Sequence, residues 1–314
     1  MNSSRGKVVT KKFIEIIVKP DEINGQFSLG ATLSSGQTSE ASWVRANSGF
    51  WNVEEVDGQL LKYEVRQVGT VEKPTLHVKL IGMHSSQSST AIKDYLTKIL
   101  RLNDDLKEFY SKFRNDPVEV TFNPCKGLRL MLASNPFESL ICSISSQNTS
   151  IKHWNSIIQS IKARFGKKVL LLDGSSFYMF PKPKSLAKVG EDAIRSCKAG
   201  YRANYILTAS RLVAEGKLDL VKLSKMSYEE AHRSLLGVYG IGPKVADCFL
   251  LYGLGFTEAA PVDVWVHRII QQLYKKSMSV NQVRAFLRNR FGLWAGYAGL
   301  YLFHFARLRS SQLV

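Results

Sequence analysis

The chain has 314 residues, enough for one large or two ordinary domains with cores of their own. Apolar residues make up 45% and charged residues 22%, the balance of an ordinary globular protein, and no run of about 18 apolar residues occurs, which argues against a helical membrane span. Lysine and arginine number 43 against 26 acidic residues, a net charge of +17 that favours a polyanionic partner such as nucleic acid, although a surface made basic for solubility alone gives the same figure.

The opening Met1-Asn-Ser-Ser-Arg-Gly-Lys7 leads into no apolar stretch, which argues against a secretory leader and for an intracellular protein. The first ninety residues read as strands. Phe13-Ile-Glu-Ile-Ile-Val18 is a short apolar run, while Leu61–Val68 and Leu76–Ile81 alternate apolar and polar residues. Turns at Leu33-Ser-Ser-Gly-Gln37 and Val56-Asp-Gly58 lie between them. Met83 to Thr90 reads as a polar linker, with Ser89 or Thr90 placed to cap the helix that follows.

From Ala91 onward the period is helical. Tyr95, Leu96, Ile99 and Leu100 recur at helix spacing, as do Leu106, Phe109, Tyr110 and Phe113. Asn135-Pro-Phe-Glu138 has the form of a capped helix start, and further helices are expected near 150–165, 201–215, 227–236, 243–253, 263–274, 280–290 and 295–309. The expected fold is α+β: a small antiparallel β-domain over residues 1–90, then a larger all-helical domain over 91–314. Cys125, Cys142, Cys197 and Cys248 are widely spaced and form no Cys-x-x-Cys, so neither a zinc site nor a redox motif is indicated; they read as free thiols.

The strongest local pattern is Leu235-Leu-Gly-Val-Tyr-Gly-Ile-Gly-Pro-Lys-Val-Ala-Asp247. A helix ends at Gly237, a glycine-pinched hairpin follows at Gly240-Ile-Gly242, and Pro243 opens the next helix. Glycines let a backbone approach another group closely, and the N–H groups of a helix start hold phosphate. A tight helix corner with no ligand has the same pattern. The combination of Gly240, Gly242, Pro243 and Lys244 with the basic balance favours phosphate. Lys244 sits in the first turn, where the helix dipole and partial burial both disfavour an ammonium and push the amine towards its nucleophilic form. Taken singly it is an ordinary surface lysine. Asp263, in Ala260-Pro-Val-Asp-Val-Trp-Val-His267, starts a later helix and is a natural N-cap; a carboxylate there also stabilises positive charge developing on a sugar as its base departs.

Residues 235–270 resemble the helix–hairpin–helix and Gly-Pro/Val-Asp signature of the DNA glycosylase superfamily, in which a lysine in the hairpin marks the members that both excise a base and nick the strand. The iron–sulfur cluster of one branch is not expected, since no cysteine follows Cys248. Other segments are similar to the 8-oxoguanine DNA glycosylase family. Leu33-Ser-Ser-Gly-Gln37 is similar to its Pro-Ser-Gly-Gln element, which implies that the Gly36 carbonyl reads the N7–H of the oxidised base. Gly200-Tyr-Arg-Ala-Asn-Tyr205 is similar to a family run that implies a wedge at Tyr201 and a contact with the estranged cytosine at Arg202. Ser145-Ser-Gln-Asn148 resembles the segment that fills the gap left by the flipped base, which places Gln147 there. Lys152 stands where a second cytosine-reading arginine is expected, and Lys244-Val-Ala-Asp-Cys248 implies that Cys248 faces the base.

The resemblance implies a two-lobed helical domain with the active site in the cleft between its lobes, no metal or organic cofactor, and double-stranded DNA containing oxidised guanine as partner, bound by a monomer. It places the protein in the cytoplasm or nucleoid of a prokaryote or the nucleus of a eukaryote. Two positions depart from the family pattern: Gly299 and Leu300 occupy the region of a base-contacting glutamine, and Trp265 replaces a histidine. Two rivals stand beside this reading. A monofunctional alkyl-purine glycosylase has no need of Lys244, and a non-enzymatic helix–hairpin–helix module has no need of Asp263 or Gly36.

Overall fold

The computed structural model describes residues 13–56, 59–81, 87–171 and 173–311. Five strands, β1 (Phe13–Val18), β2 (Val44–Ala46), β3 (Gly49–Val56), β4 (Gln59–Gly69) and β5 (Pro74–Ile81), form one antiparallel sheet in the order β1-β5-β4-β3-β2. The apolar run in β1 resolves into alternation, with Ile16 and Val18 inward and Phe13 and Ile17 exposed. Leu61, Tyr63 and Val65 of β4 and Leu76, Val78 and Leu80 of β5 complete the inner face. Across it lies α1 (Gln87–Ile99), which contributes Ile92, Leu96 and Ile99 to the same core. Ser89 and Thr90 therefore lie inside the first turn of α1 and not ahead of it. Asp57 and Gly58 of one expected turn, and residues 82–86 of the expected linker, are outside the described residues.

The helical part runs through α2 (Leu106–Lys112), α3 (Pro136–Ser145), α4 (Ile151–Phe165), α5 (Arg202–Ala214), α6 (Tyr228–Leu236), α7 (Pro243–Phe249), α8 (Val264–Tyr274), α9 (Val280–Phe291) and α10 (Ala295–Ser311). Asn135 caps α3 as its sequence implies, its Oδ1 accepting from the amides of Phe137 and Glu138. Helix α3 is buried from Phe137 to Ser145, so it forms the centre about which the others pack. All four cysteines are free and buried.

The domain is not all-helical. Strands β6 (Lys168–Leu170) and β7 (Ser176–Tyr178) form a small hairpin. Its Val169, Leu171 and Phe177 pack on Val53 at the outer face of the sheet, and Lys62 of β4 pairs with Asp173 at 2.7 Å. Three-residue strands are too short to show a period, which is why the sequence pattern misses them.

The seam between sheet and helices is fastened by Arg129, which is fully buried. Its guanidinium donates to the carbonyls of Asn24 and Gln26 on one side and of Arg101 and Asp104 on the other. Arg129→Met should leave these carbonyls unpaired and destabilise the fold by about 3 kcal/mol or more. Denaturant unfolding measures this directly, and a loss below about 1 kcal/mol would show that water replaces the side chain without penalty.

Candidate active site

A cavity of about 410 Å³ opens where the sheet domain meets the ends of several helices. Lys244 and Cys248 enter it from one face of α7, Asp263 and Trp265 from the start of α8, Lys152 from the first turn of α4, and Gly36 from the loop ahead of β2. The cleft is therefore walled partly by the sheet domain and not by the helical lobes alone. The hairpin and wedge candidates Gly240, Gly242, Tyr201, Arg202 and Gln147 do not line it and gather in a second group alongside.

Lys244 is half-buried, and its Nζ donates to Ser146 Oγ at 2.9 Å. That hydroxyl in turn donates to the Ser143 carbonyl at 2.8 Å, so its acceptor side is the one turned to the amine. Asp263 is the N-cap of α8 and accepts from the Val266 amide at 2.9 Å through Oδ1. Burial holds its carboxyl above the usual carboxylate range, and the cap amides and the nearby Lys244 charge offset only part of that. No ion pair joins Lys244 to Asp263 among the described residues, so the amine is not sequestered by the carboxylate. Cys248, one turn beyond Lys244, is buried, and its thiol is pushed up by that burial.

Gly36 has φ +92°, and a Cβ built on it falls 2.4 Å from Ile151 Cδ1, so only glycine fits this backbone. The loop is rigidly held. Glu40 Oε1 accepts from Ser35 Oγ at 2.8 Å and from the amides of Gly36 and Gln37 at 2.7 and 2.9 Å. Burial pushes the Glu40 carboxyl up to about 7 against the pull of those donors. The buried Gln37 side chain ties the same loop to the backbone of Thr32, Arg129 and Met131. Among the described residues nothing donates to the Gly36 carbonyl.

In the second group, Gly240 has φ +86°, and a Cβ there falls 2.2 Å from the Tyr205 ring, whereas Gly242 faces open space at the start of α7. Tyr239, Tyr205 and Tyr201 form an edge-to-face series from the hairpin, with centroids 5.1 and 5.7 Å apart. Tyr201 and Tyr239 are exposed. Gln147 reaches the Gly240 carbonyl at 3.2 Å, which fastens the turn after α3 to the hairpin. Arg202 is buried, and its guanidinium donates to the carbonyls of Gln147, Asn148 and Ala199. It is committed to that turn. Lys152 is the exposed cation of the two.

Several cavity residues were not singled out from sequence. Ser146 lies within the Ser145–Asn148 motif, but its role as acceptor for Lys244 depends on two helix ends meeting. Phe303 and Arg307 stand four and eight residues after Gly299, a helix-face spacing that was legible, yet nothing in the sequence says which face of α10 meets the cavity.

A helix–hairpin–helix corner that presents a lysine to a cavity shared with a half-buried aspartate is the architecture of a base-excising DNA repair protein. The family model for the HhH-GPD superfamily of base excision DNA repair proteins matches residues 141–291, and that for the 8-oxoguanine DNA glycosylase N-terminal domain matches 20–140. A probable N-glycosylase/DNA lyase of Methanothermobacter thermautotrophicus is 34% identical over 90% of this chain and 94% of its own. The N-glycosylase/DNA lyase of Saccharomyces cerevisiae is 28% identical over 89% of this chain and 76% of its own. The 8-oxoguanine glycosylase/lyase of Clostridium acetobutylicum, solved with double-stranded DNA containing cytosine opposite 8-oxoguanine, superposes with a TM-score of 0.79 at 26% identity, over 94% of this chain and 98% of that one. The chain belongs to the 8-oxoguanine DNA glycosylase family within the HhH-GPD superfamily.

Proposed function

We propose that Lys244 is the nucleophile and Asp263 the charge-stabilising carboxylate with which this bifunctional N-glycosylase/DNA lyase releases 8-oxoguanine from duplex DNA and nicks the strand. The observation that carries this reading is the convergence of Lys244, the half-buried Asp263 and Gly36 on one cavity. The damaged nucleotide leaves the stack at an unstacking cost of a few kcal/mol. The Lys244 lone pair bonds to C1′ as the bond from C1′ to N9 breaks and its electron pair leaves with the base. Asp263 stabilises the oxocarbenium-like charge between the two events. The sugar ring then opens to a Schiff base, a proton leaves C2′, and the 3′ phosphate departs.

Gly36 supplies the discrimination against guanine. Its carbonyl accepts from the N7–H of the oxidised base, whereas guanine presents a lone pair at N7. One such contact is worth about tenfold to a hundredfold. Tyr201 wedges the duplex, Gln147 fills the vacated place, and the backbone around Gly240 and Gly242 meets phosphate. Cytosine is the favoured opposite base. Lys152 is free to donate to it, but Arg202 must first release a carbonyl of the turn it braces, so the preference is weaker than two free arginines give.

Single-turnover release of 8-oxoguanine opposite each of the four bases, beside an alkylated adenine and thymine glycol, tests this. Release of 8-oxoguanine opposite cytosine should be fastest. Faster release of the alkylated adenine would overturn the substrate while leaving the glycosylase chemistry standing.

A further inference from the structure

Gly299, Phe303 and Arg307 recur every four residues on α10, share one face, and all line the cavity. At Gly299 a Cβ meets nothing within 4 Å, and the neighbouring Leu300 is turned into the core. The place where a glutamine amide was expected is therefore open. Two turns on, the Arg307 guanidinium lies 5.3 Å from the Phe303 ring and donates through Nη1 to the Ser35 carbonyl at 2.6 Å. A Cβ built on Gly36 falls 2.9 Å from that same nitrogen. Among the described residues Nε and Nη2 make no hydrogen bond, and Arg307 forms no ion pair with Glu40 or Asp263, the two carboxylates whose charge it feels. A half-buried guanidinium in the cavity lining is thus held by one corner beside Gly36, with Nε and Nη2 left over as donors.

We propose that Arg307 is a specificity-determining residue that donates to O6 of the flipped purine while the Gly36 carbonyl accepts from N7–H. This rests on the 8-oxoguanine reading above. N7 is flanked by positions 6 and 8, and position 8 shares its ring with N9, the atom freed by attack from Lys244. The group beside Gly36 and away from Lys244 is accordingly the one at position 6. A keto oxygen there accepts from a guanidinium; the amino group of an adenine-derived base opposes N–H with N–H and leaves a buried donor unpaired. Together Gly36 and Arg307 require a donor at N7 and an acceptor at position 6. 8-oxoguanine has both, guanine lacks the first, and 8-oxoadenine lacks the second.

The test compares wild type, Arg307→Met and Arg307→Lys in single-turnover release of 8-oxoguanine and 8-oxoadenine, each opposite cytosine in the same duplex. Arg307→Met should narrow the preference for 8-oxoguanine by about tenfold or more, mainly through slower release of that base, and Arg307→Lys should restore part of it. Borohydride trapping on a preformed abasic site, which offers no base to read, should fall less than excision does. An unchanged preference, with both rates falling together, would make Arg307 a strut for the Gly36 loop and overturn the proposal. A wild type that is trapped on abasic DNA yet releases no 8-oxoguanine would instead overturn the substrate reading on which it rests.

Discussion

Lys244→Gln should abolish borohydride trapping on lesion-bearing duplex DNA and lower strand nicking by about a thousandfold or more. The expectation is sharp because the cavity holds two lysines, Lys244 and Lys152, and only one of them is placed as a nucleophile. Lys244 is half-buried in the first turn of α7, anchored to Ser146 Oγ and close enough to Asp263 to be felt by it. Lys152 is exposed, with no hydrogen bond or ion pair among the described residues. A lysine whose amine is held in one place, next to the carboxylate that steadies the leaving step, has a geometric advantage over one that moves freely in solvent. The glutamine should not disturb the fold, since it keeps a straight chain of good helix propensity and an amide that still donates to Ser146. Thermal unfolding of the variant should therefore follow the wild type closely. Lys152→Gln should still be trapped, although more weakly if it steadies the opposite strand. Trapping of Lys244→Gln at the wild-type rate, together with its loss in Lys152→Gln, would transfer the chemistry to the other amine.

The fold was legible wherever one face of an element meets water. Strands β4 and β5 alternate because their outer residues are solvated, and helices α4, α6, α8 and α9 show their stripes for the same reason. Strand β3 was not seen because it is covered on both faces. Phe50 and Asn52 point inward, Asn52 being buried with its amide on the Tyr63 hydroxyl at 3.1 Å, while Val53 is buried on the other face beneath the β6–β7 hairpin. A buried polar residue on one face and a buried apolar one on the other erase the alternation. The site divides along similar lines. Lys244 and Asp263 stand at helix starts, which proline and capping patterns mark locally. The Gly36 loop carries no chemistry of its own in the sequence and was placed only through resemblance. Arg307 is the limiting case: the bond that gives it meaning is to the Ser35 carbonyl at the other end of the chain. No local pattern holds that information. Arg202 shows the converse, since a motif implied a base contact while the fold commits its donors to the turn at 147–148.

Asp263→Asn should slow base release by about a hundredfold or more while leaving stability nearly unchanged. Two roles meet in this side chain and the substitution separates them. As N-cap of α8, its Oδ1 accepts from the Val266 amide, and asparagine caps a helix about as well as aspartate. The lost charge removes a favourable interaction with the helix start of about 0.3–1 kcal/mol. Against that, burial raises the Asp263 carboxyl above its unfolded value, so the ionised group carries a penalty in the folded state. Because the folded state binds the proton more tightly, stability from this group is fully present below the unfolded value and declines as pH rises to the folded one. At neutral pH the asparagine variant is free of that penalty. The two changes oppose each other, and denaturant unfolding should place Asp263→Asn within about 1 kcal/mol of wild type, whereas Asp263→Ala, with no cap, should lose about 1 kcal/mol. Catalysis runs the other way. Only the carboxylate stabilises a cationic sugar, so single-turnover release should fall on the acid side about tenfold per pH unit, beginning above the ordinary carboxylate range because the group is buried. That limb should vanish in Asp263→Asn. If the limb persists in the variant, another group titrates there; if release keeps the wild-type rate, Asp263 is a cap and nothing more.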